Sequence, residues 1–168
     1  MSMQGAGAGG TRIGGTQIDG TGTDGTGHGG ADGTMIRYRL NEEGIFPVTR
    51  WELDGRAIRP YALHEAVADT QGQARSKAWI YAFVVGNRVM YLGATGRDLK
   101  DRLDEFETSH HPASLRIREQ IRKALMEGKE VEICARLGTD PDTLRQEADD
   151  LTDELDPPWN RIPPRRGA

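Results

Sequence analysis

Two apolar runs on either side of a glycine–asparagine pair constrain this chain more than any other feature. Residues 78–103 read AWIYAFVVGNRVMYLGATGRDLKDRL, with β-branched and aromatic side chains before and after Gly86 and Asn87. Such runs, joined by a short turn containing Gly or Asn, are typical of a β-hairpin. The sequence therefore predicts two antiparallel strands at the centre of the fold.

The two tyrosines of this hairpin, Tyr81 and Tyr91, lie ten residues apart. Side chains alternate between the faces of a strand, so an even separation keeps two residues on one face only if the loop is odd or a bulge intervenes. A two-residue turn at Gly86 and Asn87 would place the tyrosines on opposite faces. We therefore predict a three-residue loop that also includes Arg88. A β-bulge would have the same effect.

A helix is predicted directly after the hairpin. Thr95 is followed three residues later by Asp98, which resembles a capping arrangement with a short acid in place of Glu. Leu99, Leu103 and Phe106 have the i, i+4, i+7 spacing of a buried helical stripe. We expect a helix of about three turns that packs on the hairpin through these side chains.

The remaining elements complete a small domain. Pro112 opens a second helix that Gly128 ends, residues 131–137 alternate as a strand does, and Pro141 begins a helix that runs to Leu155. The order is β-β-α-α-β-α. It predicts an α+β domain with a small, three-stranded, mostly antiparallel sheet flanked by helices.

Composition divides the rest of the chain. Thirteen of the 22 glycines lie between Gly5 and Gly33, and large apolar side chains are nearly absent there. Such a segment cannot bury enough surface to offset the entropy of ordering, so we predict a disordered, Gly-rich leader over residues 1–34. The α+β domain is expected at residues 76–162, with a basic tail at residues 163–168.

A small N-terminal extension is predicted at residues 35–75. Residues 35–40 alternate apolar and polar side chains and favour a short strand. Residues 48–58 favour a small hairpin around an Asp-Gly turn, and residues 60–69 have helical spacing. We expect this extension to pack on the main domain or to be tethered to it.

Charge and cysteine content exclude some classes of protein. The chain has one cysteine, which rules out an internal disulfide, and its four histidines lack zinc-site spacing. No apolar run approaches membrane-helix length and no signal peptide is recognisable, so we expect a soluble, cytoplasmic protein. Residues 73–129 hold eleven Lys and Arg against seven Asp and Glu, whereas residues 130–156 hold two against ten. This asymmetry is compatible with a phosphate groove beside a metal-holding edge, and equally with ordinary solvated faces.

Short motifs in the predicted domain resemble those of a known enzyme family. The triplet WIY ends at Tyr81, the triplet YLG begins at Tyr91, Arg102 follows on the next helix, and PPWN ends at Asn160. In this order and spacing, the array resembles the GIY-YIG nuclease family over residues 76–162. Each triplet alone is weak, whereas the ordered array on elements of the expected type is much stronger.

The resemblance implies a metal-dependent endonuclease that hydrolyses phosphodiester bonds in DNA, with Mg²⁺ or Mn²⁺ held by a glutamate. Tyr81 and Tyr91 would position and deprotonate the attacking water. Arg102 would stabilise charge on the phosphate, because a guanidinium fork suits non-bridging oxygens. Asn160 would help to hold the site together.

The glutamate that such a site requires is displaced in this sequence. Counted back from Asn160, the family's position falls on Ala148, and Glu147 lies one residue earlier, about 100° around the helix. Leu144, Ala148 and Leu151 form an apolar stripe, and Glu147 lies beside it. We predict Glu147 as the metal ligand. The competing interpretation is a domain that has lost catalysis.

Further predictions concern the surface and the partner. Arg97, Lys100 and His110 are predicted to contact nucleic acid, and Trp79 stands where the family usually has glycine. Two alternatives to the endonuclease stay open. One is an inactive module of the same fold that binds nucleic acid or a partner protein, and the other is a structural domain whose tyrosines belong to the core. No helix-turn-helix or zinc finger is recognisable, so a protein partner could supply specificity.

Overall fold

The computed structural model describes residues 31–62 and 78–161. In these residues the elements run in the order α1 (Ala31–Glu42), β1 (Phe46–Asp54), β2 (Ala57–Pro60), β3 (Ala78–Val85), β4 (Arg88–Thr95), α2 (Leu99–Thr108), α3 (Pro112–Met126), β5 (Val131–Gly138) and α4 (Pro141–Leu155). The predicted α+β class is confirmed. In the part of the chain described, no helix is long and apolar enough to cross a membrane.

The sheet has five strands, so the prediction of three is wrong. Its strand order is β2-β1-β5-β3-β4, and all neighbouring strands are antiparallel. The three predicted strands, β5, β3 and β4, lie together at one side of it. The hairpin predicted at residues 48–58 is present as β1 and β2, with a turn at Gly55. The prediction failed because β1 pairs along the open edge of β5, a long-range contact that no local pattern encodes.

The segment at residues 35–40 is helical and not a strand. It belongs to α1, which begins at Ala31. Leu40 and Ile45 are fully buried against the sheet, and this packing outweighs the local alternation. Residues 1–30, most of the helix predicted at residues 60–69, and the basic tail lie outside the described residues. The division of the chain into domains stays a prediction.

The helix starts follow the local sequence closely. Proline stands at the first position of both α3 and α4, where its missing N–H costs nothing. Asp98 caps α2 by accepting a hydrogen bond from the backbone N–H of Lys100. The cap is therefore Asp98 and not the predicted Thr95, whose hydroxyl accepts from the N–H of Arg97.

The strand β3 is buried on both sides, so its alternating side chains define two faces of the sheet. The face covered by α2 and α3, here called the aromatic face, carries Trp79, Tyr81 and Phe83. The face covered by α1 and α4, here called the aliphatic face, carries Ala78, Ile80, Ala82 and Val84. Each face has its own apolar core, and the sheet separates the two.

Candidate functional site

The turn of the β3–β4 hairpin is shorter than predicted. Val85 pairs with Arg88, so the turn consists of Gly86 and Asn87 alone. Gly86 has a φ of +61°, a conformation that glycine adopts without strain. The predicted three-residue loop is therefore wrong. Without a further irregularity, this turn would send the two motif tyrosines to opposite faces.

A β-bulge next to the turn restores the alignment. Val84 pairs with Val89, whereas Phe83 pairs with Tyr91, so Met90 is an extra residue in β4. Met90 and Tyr91 both pack against the core of the aromatic face. The alternative of a bulge is confirmed, and it does what the longer loop was expected to do.

The two tyrosines lie side by side on the aromatic face. The ring centroids of Tyr81 and Tyr91 are 6.0 Å apart. Tyr81 pairs across the strands with Gly93, and a Cβ atom on Gly93 would lie 3.0 Å from Tyr81 Oη and 3.3 Å from Tyr91 Cε1. Only glycine allows both rings this approach, which gives the last residue of the YLG triplet a physical reason.

Arg102 joins the tyrosines from α2. Its Nε atom donates a hydrogen bond to Tyr81 Oη at 2.8 Å, and its Nη1 atom donates to Glu105 Oε2 at 2.6 Å. Its Cζ atom lies 4.7 Å from the ring centroid of Phe106. The guanidinium is therefore held by three different contacts, and the apolar stripe of α2 orients the helix that carries it.

Burial sets the charge of these groups. Desolvation raises the pKa of the fully buried Tyr81 phenol well above its usual value, and Tyr91 adds to the shift. Burial lowers the pKa of Arg102, but the oxygens of Tyr81 and Glu105 outweigh it and the pKa is raised. Arg97 and then Arg102 hold the pKa of Glu105 below its ordinary value. At neutral pH the site thus contains a protonated Tyr81 and an arginine–glutamate pair.

A cavity of about 380 Å³ lies between α2 and α3, next to Tyr91 and Arg102. Its lining residues are Tyr91, Arg102, Glu105, Phe106, Ser109, His111, Ala113, Ser114, Arg116 and Ile117. Glu105 is the one carboxylate among them, and both of its oxygens are bound by arginines. The lining therefore offers mainly hydrogen-bond donors and positive charge, which suits an anion.

The segment after α4 closes this side of the molecule. The Arg116 guanidinium donates to the backbone oxygen atoms of Arg161 and Trp159, the latter at 3.2 Å. The side chain of Asn160 bonds both backbone groups of Leu92, accepting from its N–H at 2.9 Å and donating to its oxygen at 2.7 Å. Asn160 thereby holds the strand that carries Tyr91. Its contribution to activity stays a prediction.

Glu147 lies on the other side of the sheet. Its carboxylate forms an ion pair with Arg136 of β5. Arg136 occupies the same alternating set of β5 positions as Cys134, which belongs to the aliphatic face. Ala148 is buried in the same core. The structure therefore does not bring the predicted metal ligand together with Tyr81.

The predicted cationic contacts are engaged with acidic neighbours. Arg97 pairs with Glu105, and Lys100 pairs with Asp104 one turn along α2. The bond to Asp104 raises the pKa of Lys100, which keeps this side chain charged. A phosphate would have to share these cations with carboxylates that already bind them.

Of the two adjacent histidines, the predicted His110 is exposed and does not line the cavity. Its neighbour His111 does, and its Nδ1 atom accepts a hydrogen bond from the N–H of Ala113 as the cap of α3. Trp79 is only 3% exposed and belongs to the core of the aromatic face. It therefore does not crowd an outer surface.

Five polar residues of the cavity lining were not predicted from the sequence: Glu105, Ser109, His111, Ser114 and Arg116. Glu105 lies three positions after Arg102, a helical spacing that could have indicated their ion pair. Ser114 and Arg116 offer no local signal. Arg116 meets backbone atoms more than forty residues away along the chain, and only the folded arrangement reveals that contact.

A larger hollow, of about 560 Å³, lies along β1 and is lined in part by Arg50, Tyr61 and Glu132. It borders Ala62, beyond which the structure does not describe the chain as far as residue 77. Its walls are therefore incomplete in the described residues. It contains none of the predicted site residues, and the smaller cavity is the better candidate.

Comparison with known proteins supports the fold. No protein-family model matches this chain, and no curated protein matches it. Among solved structures, it is similar to a glutamate-to-alanine mutant of bacteriophage T4 EndoII, a GIY-YIG-family nuclease. The TM-score is 0.55, the identity is 22%, and the match covers 75% of this chain and 98% of that one. At this identity, the likeness shows a common fold and leaves the activity to be argued from the site.

Proposed function

We propose that this chain is a DNA-binding protein of nuclease-like fold that holds a backbone phosphate in the cavity between α2 and α3. The observation that supports the proposal is the bulge at Met90, which places Tyr91 beside Tyr81. Tyr91 thereby lines the cavity together with Arg102. A guanidinium and a phenol at one opening match the non-bridging oxygens of a phosphodiester. The remaining lining residues are mainly neutral or cationic.

Phosphate is the part of DNA that such a site can recognise without sequence preference. More than half of the hydrogen bonds between proteins and DNA go to phosphate and sugar, mostly from Arg, Lys and hydroxyl side chains. Arg102 and Arg116 supply the first kind of donor, and Ser109 and Ser114 supply hydroxyls. Affinity that depends on phosphate contacts should fall steeply as salt is raised.

The glutamates that could hold a divalent metal are bound by arginines. Within residues 31–62 and 78–161, no group of three or more His, Cys, Asp or Glu side chains is arranged to hold one. Glu105 is already bound by Arg97 and Arg102, and Glu147 pairs with Arg136 on the aliphatic face. A metal ion held by one carboxylate, water and phosphate oxygens would therefore require one of these glutamates to leave its arginine.

Endonuclease activity is the second candidate. It is supported by the contact between Arg102 and Tyr81, by Asn160 at the motif strand, and by a fold shared with a phage nuclease. In that role Arg102 would stabilise charge on the phosphate and Tyr91 would orient the attacking water. A high pKa makes Tyr81 a poor base at neutral pH, so it would act as a hydrogen-bonding partner.

Two assays on the full chain separate the candidates. The first is fluorescence anisotropy of a labelled DNA duplex at low salt, and the second is nicking of supercoiled plasmid with Mg²⁺ or Mn²⁺. Binding without nicking would support the first candidate. Nicking that is lost in Tyr91→Phe and kept in Tyr38→Phe, an exposed tyrosine on α1, would support the second. Absence of binding at low salt would contradict both.

A further inference from the structure

The first turn of α3 presents a serine hydroxyl to the cavity. Ser114 is 7% exposed and lines the cavity wall. Its hydroxyl has no hydrogen-bond partner among the described residues and is not one of their fully buried unpartnered atoms, so it stays open to the cavity. The small exposed part of this side chain faces the space that a ligand would fill.

The surroundings of Ser114 are positive. The helix α3 has 15 residues and begins at Pro112, so its N-terminus carries the partial positive charge of the helix dipole. Arg116 lines the same end of the cavity and forms no ion pair with any described residue. Its Nε atom is buried and has no partner among the described residues. Glu105, which could cancel this charge, is held by Arg97 and Arg102.

From these contacts we propose that the N-terminal end of α3 is a phosphate subsite, in which the Ser114 hydroxyl donates to a phosphate oxygen beside Arg116. The proposal rests on the proposed function, because it assigns a second contact point to the same DNA ligand. The cavity extends from Tyr91 and Arg102 to Ser114, so one strand can reach both ends. The apolar side chains of Phe106 and Ile117 line the space between, where a sugar would lie.

The phosphate can come from an internal phosphodiester or from the end of a strand. A short single strand with a 5′-phosphate, compared with the same strand ending in a 5′-hydroxyl, distinguishes the two sources. Tighter binding of the phosphorylated strand assigns the subsite to a terminal phosphate. Equal binding of both strands, with dependence on Ser114, assigns it to an internal phosphate.

The test follows backbone amides of the ¹⁵N-labelled full chain by NMR during titration with inorganic phosphate. We expect shifts at Ala113, Ser114 and Leu115, and about tenfold weaker phosphate binding in Ser114→Ala, the loss of one good hydrogen bond. Thr108→Ala removes a hydroxyl that does not line the cavity and should leave the affinity unchanged. Unchanged phosphate affinity in Ser114→Ala would overturn the proposal.

Stability provides a second, independent readout. The Ser114 hydroxyl bonds no described residue and alanine has the higher helix propensity, so Ser114→Ala should keep or raise the melting temperature while it weakens phosphate binding. A lower melting temperature would point to a structural role and overturn the subsite. If DNA binding depends on Arg102 but phosphate causes no NMR shifts at the start of α3, the subsite is overturned and the proposed function is not. Phosphate binding at Ser114 without DNA binding would keep the subsite and contradict the proposed function.

Discussion

The two faces of the sheet differ in how completely their polar groups are paired. The aliphatic face is packed with small apolar side chains, and its charged rim is closed by the pair of Arg136 and Glu147. Behind the aromatic face, by contrast, lie three of the four buried side-chain nitrogens that lack a partner in the described residues. These are Trp51 Nε1, Trp79 Nε1 and Arg116 Nε.

The acidic helix α4 and the candidate cavity lie on opposite faces of the sheet. The helix α4 carries six acidic side chains and one arginine, yet it packs on the aliphatic face through Leu144, Ala148 and Leu151. The cavity with its cations lies on the aromatic face. Substitutions on the aliphatic face should therefore change stability, and those on the aromatic face should change binding.

The largest effect is expected from the core of the aliphatic face. Leu151 is 4% exposed, and Leu151→Ala should lower the free energy of unfolding by about 2–4 kcal/mol through loss of packing and a residual cavity. Urea denaturation measures this change. Anisotropy under conditions where the variant is folded should give unaltered DNA affinity. A folded variant with weakened binding would show that the two faces are coupled.

Removal of the central cation should affect binding next. Arg102→Ala should weaken DNA binding about 10- to 100-fold at low salt, because a guanidinium that contacts phosphate is lost. It should also cost about 1 kcal/mol of stability, since Tyr81 Oη loses its donor. Arg145→Ala on the exposed side of α4 is the matched control. Equal losses of affinity in both variants would mean that only net charge matters.

The close packing of the Tyr81 and Tyr91 rings can be disrupted at Gly93. Gly93→Ala should lower stability by about 1–2 kcal/mol and disturb the near-ultraviolet circular dichroism, because the new methyl group lies too close to the ring of Tyr81. At Gly96, a Cβ atom would meet Pro141 at an ordinary 3.5 Å, so Gly96→Ala serves as the control. If Gly93→Ala matched this control, the ring packing would not depend on glycine.

Neutralising the cavity carboxylate should strengthen binding. Glu105 competes with a phosphate for Arg97 and Arg102, so Glu105→Gln should raise DNA affinity about threefold, the size of a partly exposed ion pair. Glu107→Gln, which changes the same charge outside the cavity lining, is the control. Weaker DNA binding in Glu105→Gln would assign the carboxylate a positive role in the site.

Acid should remove the same pair in the unmodified chain. The folded pKa of Glu105 is lower than its unfolded value, so the carboxylate stabilises the fold above the unfolded pKa. That stabilisation is lost as pH falls through the folded pKa. Urea denaturation of Glu105→Gln from neutral to acid pH should accordingly show a shallower loss of stability than the unmodified chain.

The smallest effect is expected at the predicted metal ligand. Glu147→Gln breaks the ion pair with Arg136, and because both side chains are partly exposed the stability should change by less than about 1 kcal/mol. DNA affinity should not change. Loss of plasmid nicking in a folded Glu147→Gln variant would contradict the separation of the faces and favour the metal-dependent endonuclease.

Elements with strong local periodicity were predictable from the sequence. The strands β3, β4 and β5 and the helices α2, α3 and α4 follow their apolar repeats, prolines and glycines closely. The segment of α1 was not, because its alternation suits a strand and only the packing of Leu40 and Ile45 decides otherwise. The extension of the sheet by β1 and β2 likewise depends on a long-range contact, the pairing of β1 with β5.

The candidate site was predictable only in part. The requirement that Tyr81 and Tyr91 share a face followed from the alternation of strand side chains, but a loop and a bulge satisfy it equally. The position of Glu147 could not follow from sequence. An apolar helical stripe predicts which side chains of the helix face the sheet. It does not predict on which side of the sheet the helix packs, because that depends on the path of the whole chain.

The contacts of Asn160 also determine where the sheet stops. Among the described strands β4 is one of the two edge strands, and the free edge of a sheet is a template for another chain. Here the side-chain amide of Asn160 forms hydrogen bonds with both backbone groups of Leu92. The N–H of Trp159 donates a hydrogen bond to the backbone oxygen of Met90 at 2.8 Å. The amide forms the hydrogen bonds that a further strand would form at Leu92. A chain cut before Pro157 would expose this edge to a second molecule, and self-association would then compete with the monomer.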